Sequence, residues 1–165
     1  MTPRVIFNAL AISGSAMFAG VMLAIGVTLG GYWKSLPPED FLNWFSQNNH
    51  FIMRAIPLAV IPTLVGLAGS LWLGWSDRKA RTLWLAASGC VVAVFIMTIG
   101  YYVPTNADFA ARSVPPEQVP GKLDTWLLLH NLRIALAAIA SVLGVVAMSR
   151  TAKELNSNSL QPSRR

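Results

Sequence analysis

The chain has 165 residues, of which 54% are hydrophobic and only 12% charged, against roughly 25% charged in ordinary globular domains. Its formal net charge is +6, from 13 Lys and Arg against 7 Asp and Glu. The cations sit at the ends of long apolar runs, which excludes a nucleic-acid surface and points to a bilayer.

Four apolar runs account for most of the length: Phe7 to Tyr32, Phe51 to Trp75, Leu83 to Tyr102 and Thr125 to Met148. Each reaches the roughly 20 residues that cross a bilayer as a helix, the form in which an isolated segment satisfies its own backbone there. The expected fold is all-α, a four-span antiparallel transmembrane helix bundle. The first run follows Thr2-Pro3-Arg4 but is too long for a signal-peptide core, so it is kept as a span. Between the first two spans, Pro37-Pro38-Glu39-Asp40 suits a helix start. Phe41, Leu42, Trp44 and Phe45 then give an apolar face, which predicts a short interfacial helix over 38–47 in the first outer loop.

Span two opens on Asn49, His50 and Arg54, with His50 and Arg54 four residues apart on one helical face. Pro57 and Pro62 follow, each freeing a carbonyl one turn earlier and predicting a kink that widens the bundle. Span three ends in Tyr101-Tyr102-Val103-Pro104-Thr105-Asn106, where Pro104 is expected to stop the helix and leave Asn106 just beyond it. Its single cysteine, Cys90, reads as a small packing residue. Span four opens on Trp126, His130, Asn131 and Arg133. Residues 149–165 read as a disordered tail, which leaves one domain over 1–148.

Eight cations (Arg4, Arg78, Lys79, Arg81, Arg150, Lys153, Arg164, Arg165) fall on one side, and three (Lys34, Arg112, Lys122) on the other. This bias predicts a multi-pass protein of the inner (plasma) membrane with both termini cytoplasmic. The polar residues of spans two, three and four then gather at the outer mouth. Small residues on the spans, such as Gly14, Gly66, Ser88 and Gly144, allow close helix packing and would also serve an oligomer interface.

Both histidines and both arginines found within the spans share this outer third. Histidine exchanges a proton near neutral pH, and arginine stabilises an organic anion such as a phenolate or enolate. The expected pocket holds His130, Arg133 and Asn106, with His50, Arg54, Tyr101, Tyr102, Trp126 and Asn131 around a lipophilic aromatic ligand. No His-x-His, Glu-x-x-His or Cys-x-x-Cys pattern is present, so no metal site is assigned and no cofactor is expected. Two imidazoles also form the ligand set of a haem iron or a copper ion, and that alternative stays open.

Trp33 with Leu36-Pro37 and Phe41, then Val103-Pro104-Thr105-Asn106, then Trp126 with His130 and Arg133 together resemble the anthrone oxygenase-like family of small four-helix membrane proteins. The likeness covers about residues 7–148. Its most specific parts are the Pro-x-Asn turn and the Trp-x-x-x-His-x-x-Arg face. The resemblance implies cofactor-independent oxidation of an anthrone or other flat phenol by O2, with Asn106, His130 and Arg133 as the core of the site. His50 and Arg54 rest on topology alone. The rival reading is a non-catalytic binding or accessory protein in which the polar cluster only pins helices together.

Overall fold

The computed structural model describes residues 2–159, and among these there is no strand. Helix α1 (Pro3–Ala24) passes through a π-helical turn, Ile25–Leu29, into α2 (Gly30–Ser35). After the Leu36-Pro37 turn, α3 (Pro38–Leu73) runs for 36 residues. Helix α4 (Arg78–Met97) passes through a second π-helical turn, Thr98–Tyr102, into α5 (Val103–Ala110). A 3-10 turn, Pro116–Gln118, leads into α6 (Val119–Ser159).

Four stretches are long and apolar enough to cross a membrane: Pro3–Ser35, Arg54–Leu73, Arg78–Ala110 and Pro116–Arg150. The chain is therefore an all-α, multi-pass membrane protein. A 33-residue rod is about 50 Å long against a hydrocarbon core of about 30 Å, so the rods continue past the lipid tails. The helix also extends into the segment expected to form a loose tail, as far as Ser159; the remainder of that segment, 160–165, lies outside the described residues.

Two local expectations are corrected. The predicted interfacial helix over 38–47 is the beginning of α3, because nothing between Gln47 and Phe51 breaks the helix. Pro57 and Pro62 both lie inside this helix. Pro104, in turn, does not end span three. It stands in the first turn of α5, where a missing backbone donor costs little, so Asn106 is carried on a helix and not in a loop.

Side packing follows the small residues. An added Cβ on Gly66 would strike the backbone of Ala11, and one on Gly14 would lie 2.6 Å from the Thr63 nitrogen. α1 and α3 thus meet backbone to backbone. α1 also packs along α6, and α6 along α4, whereas α3 and α4 touch sparsely. Where the α3–α4 turn meets the chain start, Asp77 accepts from the Ala80 backbone N–H at 3.0 Å and pairs with Arg4 at 3.2 Å. At the opposite, distal end Trp33 is 1% exposed. It packs against Phe41, Phe45 and Trp126, while Phe109 closes on both phenylalanines. This aromatic cap is where α2 folds back across the Leu36-Pro37 turn.

Gly66→Ala is expected to cost about 1–3 kcal/mol, the usual penalty of overpacking, and to lower the thermal midpoint in detergent. Gly20→Ala, with nothing within 4 Å of the added carbon, is the control that should leave it unchanged. The Ala80 N–H and then Arg4 hold the Asp77 carboxyl below its ordinary value of 3.8. Its contribution is therefore complete above that value and is lost as pH falls through the lower folded one. Melting curves taken between pH 5 and 2 should drop more steeply for the natural chain than for Asp77→Asn.

Candidate functional site

Trp126, His130 and Arg133 are spaced i, i+4 and i+7 on α6, which places them on one face. That face turns inward: Trp126 and Arg133 are both 5% exposed and His130 is 1% exposed. The imidazole stacks on the Trp126 indole, with ring centres 4.7 Å apart and planes 14° from parallel. His130 Nε2 lies 2.7 Å from the Met22 carbonyl oxygen of α1. Since a carbonyl only accepts, Nε2 carries the hydrogen and Nδ1 holds the lone pair in the neutral ring. Nδ1 has no partner among the described residues. The approach is close because Gly26 faces the ring; a Cβ there would lie 3.1 Å from His130 Cδ2.

Arg133 is a buried cation with no carboxylate partner among the described residues. Its guanidinium carbon stands 4.0 Å from the centre of the Tyr102 ring, and Nη2 donates to the Met22 sulfur at 3.3 Å. Nε has no partner. A cation over a desolvated ring gains about 2 kcal/mol, less than the several kcal/mol that burying an ion costs. The arrangement is electrostatically incomplete, and a buried anion would complete it.

Tyr102 belongs to the second π-helical turn, and its hydroxyl donates to the Trp126 carbonyl at 3.0 Å. One turn on, Asn106 Oδ1 accepts from Trp126 Nε1 at 2.8 Å. These residues share a cavity of about 320 Å³ with Phe18, Met22 and Ile25 of the first rod and Asn49, Ile52, Ile56 and Val60 of α3. The volume lies at the small end of the roughly 300–1,000 Å³ usual for small-molecule sites. Its walls are chiefly hydrocarbon and aromatic, with the polar groups few and convergent.

The structure thus brings together five of the nine expected residues: His130, Arg133, Asn106, Tyr102 and Trp126. Tyr101 is half-buried and packs edge-on against Tyr102 without lining the cavity. His50, Arg54 and Asn131 are exposed and lie away from it. His50 stacks on Phe51, and Arg54 lies over that same ring. The two do share a face of α3, but it is the outward one. Turning that helix by one residue, about 100°, exchanges His50 and Arg54 for Asn49, Ile52 and Ile56. Asn49, like Thr98, is a polar lining residue that sequence reasoning left out of the pocket. Its three- and seven-residue spacing from Ile52 and Ile56 was the available signal. With His50 outside and His130 buried, the two imidazoles do not form one bis-histidine site.

Arg133→Met should leave the thermal midpoint in detergent unchanged or raised, since it removes an unpaired buried charge. The same change should abolish stabilisation of the protein by phenolate ligands. A large loss of stability would instead mark Arg133 as a structural pin.

The sequence model of the anthrone oxygenase family matches residues 41–143, from the first turn of α3 into the second half of α6. The match takes in Asn49, Tyr102, Asn106, Trp126, His130 and Arg133, and begins after Trp33 and the first rod, so it is shorter than the likeness read over 7–148. No curated protein and no solved structure matches the chain. More than half of the sequence fits that one family, and the chain belongs to the anthrone oxygenase family.

Proposed function

We propose that the protein is a membrane oxygenase that oxidises a lipophilic phenol or anthrone with O2 in the cavity beside His130 and Arg133. The observation that carries this reading is the buried Arg133 guanidinium, with no carboxylate among the described residues, one turn from an imidazole whose Nδ1 has no partner among them. An acid in the substrate supplies what both groups lack. Nδ1 of His130 takes the proton, and Arg133 holds the resulting oxyanion, while Trp126 and Tyr102 bound the flat ring.

The electron-rich anion reacts with O2 at the ring carbon that carries the departing hydrogens. Converting a ring CH2 to C=O consumes one O2. One oxygen atom enters the ketone, and the other leaves as water with the two hydrogens. The protonated His130 can return its proton to the departing hydroxide. The chain's work in this scheme is to form the anion, hold it and keep water away from it. The charge bias between connections supports an inner (plasma) membrane placement with both termini cytoplasmic and the cavity in the outer half.

Oxygen uptake by the protein in liposomes, with an anthrone as substrate, tests the proposal. The natural chain should consume one O2 per quinone formed. His130→Ala should lower turnover by roughly 10²–10⁴-fold, the share of a general base, in protein that melts earlier but is still folded at the assay temperature. Undiminished uptake by His130→Ala would remove the assigned role. Unfolding of both His130→Ala and Arg133→Met, with no uptake by the natural chain, would favour the accessory-protein reading.

A further inference from the structure

The cavity has one open side. α1 is sealed against α3 and α6, and α6 against α4, so the sparse contact between α3 and α4 leaves a slot. Val103 marks its mouth, since it lines the cavity yet remains 57% exposed. Two carboxamides line the cavity from the two helices that flank this slot: Asn49 from α3 and Asn106 from α5.

Their hydrogen bonds leave complementary groups free. Asn49 Nδ2 is committed to the Phe45 carbonyl at 2.9 Å, so its Oδ1 remains as an acceptor. Asn106 Oδ1 is committed to Trp126 Nε1 at 2.8 Å, so its Nδ2 remains as a donor. The mouth therefore holds an acceptor without a donor at Asn49 and a donor without an acceptor at Asn106. A hydroxyl answers both, donating to Asn49 and accepting from Asn106. A carbonyl or an ether has no hydrogen to give and leaves Asn49 Oδ1 unanswered. The bare edge of an aromatic ring would cover both amides and pair neither.

Deeper along α6 lies Arg133, about two turns beyond Trp126, with its guanidinium against the Tyr102 ring at 4.0 Å.

We infer that Asn49 is a positioning residue, and that the ligand carries, besides the oxyanion held at Arg133, a second hydroxyl that donates to Asn49 at the mouth. This rests on the cavity being a site for phenols, and it adds which phenols. Asn49 sets orientation: the mouth hydroxyl fixes which ring carbon is presented beside His130. A site that pairs a hydroxyl rejects the analogue without it, because its own polar groups are left unpaired.

Binding of naphthols to the protein in nanodiscs, read by tryptophan fluorescence quenching and corrected against empty nanodiscs, decides the matter. The probes are 2-naphthol, 2,6-dihydroxynaphthalene and 6-methoxy-2-naphthol. The natural chain should bind the diol roughly 2–10-fold more tightly than 2-naphthol, the worth of a net hydrogen bond, and the methoxy compound no more tightly than 2-naphthol. Asn49→Leu should erase the preference for the diol over 2-naphthol, while Asn49→Ser should retain part of it. Equal binding of diol and 2-naphthol by the natural chain overturns the inference and leaves the phenol site standing. An undiminished preference in Asn49→Leu removes Asn49 from the role. Binding of none of the three overturns both. Should Asn49→Leu fail to fold, the comparison of probes on the natural chain decides alone.

Discussion

The backbone contact between α1 and α3 governs how the rest of the bundle is arranged. Gly66 against Ala11 and Gly14 against Thr63 leave no space for a side chain between the two rods. In lipid, where apolar burial drives little association, such close approach is what holds helices together. Once α1 is fixed to α3, its other face meets α6, and α4 joins the bundle mainly through α6. A four-helix ring with three tight seams and one loose seam must hold its free volume beside the loose one. The cavity lies there, and the bond from His130 to Met22 ties its floor to the tight side.

Within that frame Arg133 is the unusual expense. Its surroundings offer a ring face and a thioether, both weak partners, and no carboxylate among the described residues. An acidic neighbour would make the bundle more stable and would compete with any anion arriving from outside. The aromatic cap and the stacked Trp126 and His130 keep the charge from water, so its field is little screened. Stability and anion binding make opposite demands at this residue.

Much of this was legible in the chain. Apolar runs of about 20 residues or more fix the number of helices because lipid leaves the backbone no other choice. Trp126, His130 and Arg133 could be placed on one face because their spacing falls within two turns of one uninterrupted helix. Phase was the harder matter. Span two holds Asn49, His50 and Arg54 within six positions, and a polar side chain near the headgroups reads the same whether it faces lipid or a cavity. Which face α3 turns inward is decided by Gly66, a dozen or more residues along the same helix, and by Gly14 on α1. Pro104 was misread for a related reason, since a proline in a first helical turn looks in sequence like a proline that ends a helix.

The two π-helical turns, Ile25–Leu29 and Thr98–Tyr102, both place residues in the cavity wall. Each bonds to the fifth residue back, as Gly30 does to Ile25 and Val103 to Thr98, so each holds one residue more than an α-helical turn. Everything distal to it is rotated by about 100° relative to the helix below. The rods therefore work as two stacked segments with separate rotational settings: the lower sets how the spans pack, and the upper aims Trp33 into the cap and Asn106 at the mouth. Deleting one residue from either turn would preserve the helix and its hydrophobic length while re-aiming everything above it. The bundle and the site can thus vary independently, with a single turn of backbone as the joint between them.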